Sequence, residues 1–375
     1  MISTLETDFF FCDVQLWSGR MEEAFMDSTP VAVIGAGIIG RTHIETLAQT
    51  DGIHLCGIVD PLPAAAELAE NNGVPLFEDL DALIASGTAK GVIVASPNKT
   101  HVAIAKRLLE AGLAVLLEKP VSTTVAEGLE LDAAVKAAAA PLLVGHHRRH
   151  NPIIKAAKKA ISEGAIGALV TANVNVTLTK PASYFDIAWR KQPGQGGPLL
   201  INLIHEVDLL RHFFGDVKAV TALTSNARRN FEVEDTAAAI LEFEEGGLAS
   251  CTITDAACGP WAWDVTAGEN PARFPSHDVF AHAYSGTEAG LSLPDLALWK
   301  HSGSPDWTHE MSRHRLPCTH ADPYVAQLEH FSALIRGETE PLVSCRDGLA
   351  NMQVIEAVQA SARDGRRIEL EAIFQ

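Results

Sequence analysis

The chain has no Cys-x-x-Cys pair, no apolar run long enough to cross a bilayer and no surplus of basic residues. Each absence removes a class of protein. The six cysteines (Cys12, Cys56, Cys251, Cys258, Cys318 and Cys345) are scattered. A chain of 375 residues needs no disulfide staples, so a reduced, cytoplasmic protein is expected. A transmembrane helix needs roughly 18 or more consecutive apolar residues, and no stretch supplies them. Lys and Arg number 29 against 47 Asp and Glu, a net charge of −18. Nucleic acid and anionic membranes call for a basic face, so neither is expected as a partner. Fifteen histidines raise the question of a metal. The densest cluster, His146, His147 and His150 in "GHHRRHNP", lacks H-E-x-x-H or cysteine-rich spacing and encloses two arginines, so no metal is expected. Internal repeats and low-complexity linkers are also missing. Residues 1–29 have neither a basic n-region nor a small-residue cleavage site and do not form a signal peptide. They read as a tail without fixed structure, as a start upstream of the true one (Met21 or Met26), or as an arm packing through Phe9 to Phe11 and Trp17.

What is present is ordinary for a globular protein: 47% apolar and 20% charged residues, and a length that suggests two or three domains. From residue 30 to about 150, short apolar runs alternate with Ala/Leu/Glu-rich segments. Strands are expected at 31–35, 54–60, 75–79, 91–96, 114–119 and 141–147, with helices at 38–49, 62–71, 79–86, 99–112 and 124–139. Strands apolar on both faces and separated by helices form a parallel sheet covered on both sides. The fold class is therefore α/β, opening with a doubly wound Rossmann domain over 30–150. In such sheets ligands bind beyond the carboxyl ends of the strands. Those ends carry Gly35, Asp60, Ser96 to Asn98, Glu118 to Pro120 and Gly145 to Arg149.

Three stretches at that edge carry chemistry. "GAGIIG" has Gly35-x-Gly37-x-x-Gly40 directly after a strand and at the opening of a helix, with Asp60 ending the next strand. That is the full context of a dinucleotide fingerprint. Gly35 allows the tight turn, Gly37 the approach of a pyrophosphate, and Gly40 close helix–strand packing, while Asp60 would accept from the adenosine ribose hydroxyls. A carboxylate there repels a 2′-phosphate, so NAD is expected over NADP. "SPNKTH" (96–101) reads alone as a strand-to-helix turn, with Asn98 as a possible cap. "LLEKPV" (116–121) places Glu118 and Lys119 at the end of a buried strand, where a charge is costly unless it is paired or useful. A bare Lys-Pro also fits a lysine snorkelling from a strand end.

With "VAVIGAGIIG", "SPNKTH" and "LLEKPVS" in this order, the chain from about residue 30 onward resembles the Gfo/Idh/MocA oxidoreductases. "GGPLLINLIHEVDLLRHFFG" (196–215) is similar to the family's central helix, and 348–370 to its closing helix and strand. The resemblance implies a C-terminal α/β domain over 151–375 with a large, open, mostly antiparallel sheet. One face would cover the nicotinamide, and the other would join subunits of a homo-oligomer, a dimer or tetramer. The last helix, about 346–363, would pack back toward the Rossmann domain. Strand-like segments at 168–179, 217–226, 236–257 and 278–285 support such a sheet independently.

By the same resemblance Lys119 and His205 are the catalytic pair. Lys119 would stabilise alkoxide-like charge on the substrate oxygen, and neutral His205 would exchange its proton. The cofactor set is Gly35, Gly37, Ile38, Ile39, Gly40, Asp60, Ser96, Pro97, Asn98, His101, Glu118 and Lys119. The substrate set is Lys119, His147, Arg149, Trp189, Arg190, Asn202 and His205. The expected activity is NAD-dependent oxidation or reduction at a CH–OH carbon of a polyol, cyclitol or sugar derivative. Alternatives are a non-sugar cyclic diol as substrate, or a sensor that binds NAD without turnover. In one respect the chain departs from relatives such as inositol dehydrogenase. Where these often carry an aspartate one turn before the histidine, Ile201 stands, followed by Asn202. Asp208, three residues beyond His205 and four before His212, could support either ring.

Overall fold

The computed structural model describes residues 28–373. The N-terminal extension discussed above lies outside them, except for Ser28 and Thr29. In the first half β1 (Thr29–Ile34), β2 (Ile53–Val59), β3 (Leu76–Phe77), β4 (Gly91–Val94), β5 (Ala114–Leu117) and β6 (Leu142–Val144) alternate with helices. These helices are α1 (Ile38–Leu47), α2 (Ala64–Asn71), α3 (Leu80–Ser86), α4 (His101–Glu110) and α5 (Val125–Ala137). The strands pair in parallel in the order β3-β2-β1-β4-β5-β6. Val31 to Ile34, Val92 to Val94 and Leu116 to Leu117 are buried, as strands covered on both faces must be. The order reverses between β1 and β4, so a crevice opens beyond Ile34 and Val94, where Gly35 and Ser96 follow.

The second half is built on a nine-stranded sheet. Its strands are β7 (Leu169–Thr177), β8 (Val217–Ser225), β9 (Thr236–Phe243), β10 (Leu248–Thr254), β11 (His282–Gly286), β12 (Gly290–Leu293), β13 (Ala297–His301), β14 (Met311–Arg315) and β15 (Ile368–Glu369). They run in the order β14-β13-β12-β11-β7-β10-β9-β8-β15, antiparallel except for the β7–β10 pair. Four helices accompany the sheet: α6 (Pro152–Ser162), α7 (Ile204–Phe214), α8 (Pro323–Ile335) and α9 (Cys345–Asp364). The β9–β10 hairpin turns at Gly246 and Gly247, whose φ values of 90° and 85° fit a tight turn that most side chains would strain.

One face of this sheet is covered. Ala172, Val174, Ala239, Leu241, Cys251 and Ile253 are buried there, and Phe213 and Phe214 of α7 meet Tyr284 edge-on at 5.6 and 5.2 Å. The opposite face carries exposed Leu223 and Ile240 among Thr and Asn side chains. Helix α9 bridges the two halves. Its Glu356 accepts the Val125 backbone N–H at 2.8 Å, and a Cβ on Gly128 would stand 2.5 Å from Leu349. Ser344 and Asp347 close a capping box at its start, which fixes where the helix begins.

The central helix departs from expectation. Within 196–215 the apolar spacing reads as one regular helix over 199–214, but Leu199–Leu203 form a π-helical turn and α-geometry begins only at Ile204. The wider turn changes which side chains and carbonyls face inward, and such insertions cluster at functional sites. Strands β12 to β14 and helices α6 and α8 were not anticipated. Among the described residues no helix is long and apolar enough to cross a membrane.

Candidate active site

The glycine loop is shaped by contacts that only glycine permits. Gly35 has φ of 96°, and a Cβ there would lie 2.6 Å from the Ala95 carbonyl oxygen. A Cβ on Gly40 would lie 1.8 Å from the Gly35 carbonyl oxygen. Gly37 differs: nothing lies within 4 Å of its Cβ position, so the loop leaves open space in front of α1. No side chain caps α1 and no acidic residue sits in its first turn, so its first N–H groups remain available to an anion. Ile38, next in the chain, is 48% exposed, with Ile39 half-buried beside it. Asp60 has a role the sequence did not show. Its carboxylate accepts the Ala36 N–H at 2.7 Å and the Leu62 N–H at 2.8 Å, tying the glycine loop to the end of β2. Each oxygen keeps a lone pair for a ribose hydroxyl. The open cradle, the free N–H groups and the carboxylate fit a dinucleotide.

At the next two strand ends the candidates divide. Ser96 pairs with Thr100 through their hydroxyls at 2.7 Å, and Pro97 and Asn98 lie at the crevice surface. His101 does not face the crevice. It is buried, with Nδ1 2.8 Å from the Pro120 carbonyl oxygen and Nε2 3.0 Å from that of Ser96, so it clamps the two loops together. Glu118 also turns inward. Its Oε1 lies 2.8 Å from Nε2 of the fully buried His43 on α1. Burial alone would raise its pKa, but His43 and Lys119 hold it below the usual carboxylate range.

Lys119 reaches the other way. Its Nζ donates to the Ile201 carbonyl oxygen at 3.0 Å, inside the π-helical turn that leads into α7. Four residues on, His205 is buried, its Nδ1 without a partner among the described residues. The rings of His146 and His147 stand edge-on to it at 5.6 and 5.5 Å. Burial pushes the His205 pKa well below the ordinary histidine value, and Lys119, Arg148 and the two histidines add to the shift. Burial also lowers the Lys119 pKa, with Glu118 opposing. A neutral imidazole and a partly desolvated ammonium thus share one site.

The remaining candidates separate into wall and brace. His147 belongs to the wall: it stacks on Tyr324 at 4.4 Å, and its Nε2 lies 3.5 Å from Glu269. Asn202 accepts from Lys180 Nζ at 2.7 Å. Arg149 is a brace, not a free substrate ligand. Asp208 holds its guanidinium at 2.9 and 2.7 Å, and Asp347 adds a contact at 3.3 Å, locking the turn after β6 to α7 and α9. Asp208 therefore supports neither His205 nor His212 by hydrogen bonding. Arg190 is buried, donates to the Tyr184 carbonyl at 2.7 Å and lies 3.9 Å over the Tyr184 ring, with half-buried Trp189 beside it. Among the described residues no group of His, Cys, Asp or Glu is arranged to hold a metal ion.

Comparison with known proteins identifies the family. Residues 29–146 match the description "Oxidoreductase family, NAD-binding Rossmann fold", residues 154–269 "GFO/IDH/MocA C-terminal domain", and residues 285–370 "Oxidoreductase family, C-terminal alpha/beta domain". The chain belongs to the Gfo/Idh/MocA oxidoreductase family. It is 26% identical to the D-apiose dehydrogenase of Paraburkholderia graminis, over 91% of this chain and 90% of that protein. With the inositol 2-dehydrogenase of Rhizobium meliloti the identity is 25%, over 90% of this chain and 98% of the relative. The WlbA dehydrogenase of Bordetella pertussis, solved with NADH and UDP-GlcNAcA, superposes with a TM-score of 0.75 at 27% identity, covering 92% of this chain and 99% of that one.

Like its relatives, this Gfo/Idh/MocA chain is an NAD-binding oxidoreductase. Sequence reasoning missed Lys180, Arg148, Asp264, Glu269 and Tyr324 as parts of the site. Lys180 lies just past a strand end, a place where ligand-facing residues gather, so a signal existed. Asp264 and Glu269 come from the stretch between β10 and β11, which has no periodicity to read.

Proposed function

We propose that the protein is an NAD-dependent dehydrogenase that moves a hydride between the nicotinamide and a hydroxyl-bearing carbon of a polyol, cyclitol or sugar derivative. When bound, the dinucleotide supplies or takes up the hydride. Gly35, Gly37 and the N-terminus of α1 would hold its pyrophosphate, and Asp60 its adenosine ribose. Lys119 would place its ammonium on the reacting oxygen and stabilise the charge that grows there. His205, neutral at physiological pH, would take the hydroxyl proton in oxidation or return one in reduction.

The observation that carries this reading is the Lys119–Ile201 hydrogen bond. It joins residues 82 apart in the chain and brings the lysine from the edge of the parallel sheet to the start of the helix bearing His205. The test is NADH formation by pure protein given NAD and a panel of polyols, sugars and sugar acids. Lys119→Met should lower turnover by roughly 10² or more while NAD still binds. Near-normal turnover in that variant would refute the assignment. We also propose a homo-oligomer through the outer face of the large sheet, where Leu223 and Ile240 are 72% and 41% exposed.

A further inference from the structure

Lys180 and Asn202 turn one wall of the site into a surface of hydrogen-bond donors. Lys180 follows β7 and is 8% exposed, its ammonium 4.8 Å from the centre of the Tyr184 ring. Its Nζ donates to Asn202 Oδ1 at 2.7 Å. An ammonium can only donate, so the amide must offer it the oxygen. That fixes the orientation of Asn202. Its NH2 group then points away from Lys180 and has no hydrogen-bond partner among the described residues. Lys119, which contacts the neighbouring residue Ile201, is likewise a donor whose one acceptor is a carbonyl oxygen.

The nearby carboxylates are already engaged. Asp255 stands 3.9 Å from Lys180 but is held by Arg229 at 2.6 Å. Asp264, which acts on both lysines, is bonded by Arg148 at 3.2 Å, and Arg148 is in turn held by Glu206 at 2.6 Å. Neither ammonium has a carboxylate within hydrogen-bonding distance. Burial pushes the Lys180 pKa down to about 8, with Lys119 and Arg229 also lowering it against Asp255 and Asp264. A group that binds here should therefore accept hydrogen bonds and bring negative charge. A hydroxyl fits less well: it could donate to the second lone pair of Asn202 Oδ1 or of the Ile201 carbonyl, but it brings no negative charge to the two ammoniums.

We infer that Lys180 and Asn202 form a carboxylate subsite beside the reacting oxygen, so that the substrate is a sugar acid or polyhydroxy acid and not a neutral polyol. The inference rests on the dehydrogenase reading above and narrows its substrate class. Lys180 touches the carboxylate directly, and Asn202 contributes its amide N–H groups.

The test compares D-gluconate and D-galactonate with D-sorbitol and myo-inositol in the NAD-loaded protein. Wild type should favour the acids in kcat/KM by about tenfold or more, the scale of a charge-assisted hydrogen bond. Lys180→Met and Asn202→Asp should each abolish that preference, the second by setting a like charge against the carboxylate. KM for the acids should rise as the pH passes about 8 and Lys180 loses its charge, while KM for sorbitol stays level. Equal or better use of the neutral polyols by wild type would overturn the inference, as would an acid preference that survives both substitutions. If neither class yields NADH, the dehydrogenase reading fails. Calorimetry on the NAD-saturated protein then decides the subsite: gluconate binding tighter than sorbitol, with the difference lost in Lys180→Met, upholds it, and equal binding ends it.

Discussion

Replacing Arg149 with methionine distinguishes the brace seen in the structure from the substrate ligand expected from the sequence. The substitution removes a guanidinium that Asp208 holds by two hydrogen bonds, and leaves a carboxylate whose side chain is 1% exposed. Breaking a buried pair from one side costs about 3–5 kcal/mol, because the remaining charge is stranded. Asn351, which still donates to Asp208 at 2.8 Å, points to the lower end of that range. Proton linkage gives a similar scale. Burial raises the Asp208 pKa, but the charges of His146 and Arg149 and the hydrogen bonds from Arg149 and Asn351 win and hold it at about 2, against 3.8 for a free side chain. That depression is worth about 2–3 kcal/mol of stability at neutral pH. The sign follows from the direction: the contribution is complete above the unfolded pKa and disappears as the pH falls through the folded one.

The assay is equilibrium unfolding in guanidinium chloride at pH 7, followed by tryptophan fluorescence and circular dichroism. Arg149→Met should lower the midpoint clearly. The double variant Arg149→Met/Asp208→Leu should recover much of the loss, because both charges leave together. KM of the folded single variant should change little. A variant that unfolds at the wild-type midpoint while its KM rises tenfold would show that the guanidinium is free for substrate, and the reasoning would be refuted.

Two further outcomes are expected. Lys119 is the second largest influence on the His205 pKa, after burial, so in Lys119→Met the imidazole titration seen by proton NMR should move up toward the ordinary histidine value; an unmoved titration would mean that the lysine and the ring do not share a site. Wild type should bind NAD more tightly than NADP, and Asp60→Ala should narrow the gap in Kd and also weaken NAD, since it frees the Ala36 N–H that shapes the loop; equal wild-type binding of the two dinucleotides would contradict the role given to that carboxylate.

The parallel sheet was legible because its determinants are local. Apolar runs of one period, helices of another and a glycine triplet between them need no knowledge of the rest of the chain. Gly35, Gly40 and Asp60 announced themselves by spacing, and Lys119 by a charge where a strand should have none. The direction each side chain takes was a different matter. His101 and Glu118 sit among cofactor candidates in the sequence, yet packing turns His101 onto two carbonyls and Glu118 onto His43. Arg149 meets Asp208 across 59 residues, and Lys180 meets Asn202 across 22. The π-helical turn at Leu199–Leu203 breaks a run that reads as ordinary helix, and it places the Ile201 carbonyl before Lys119. Pairings of this kind depend on which elements lie against which. A buried charge takes whatever partner the packed interior brings within reach, and one-dimensional spacing carries no record of that choice.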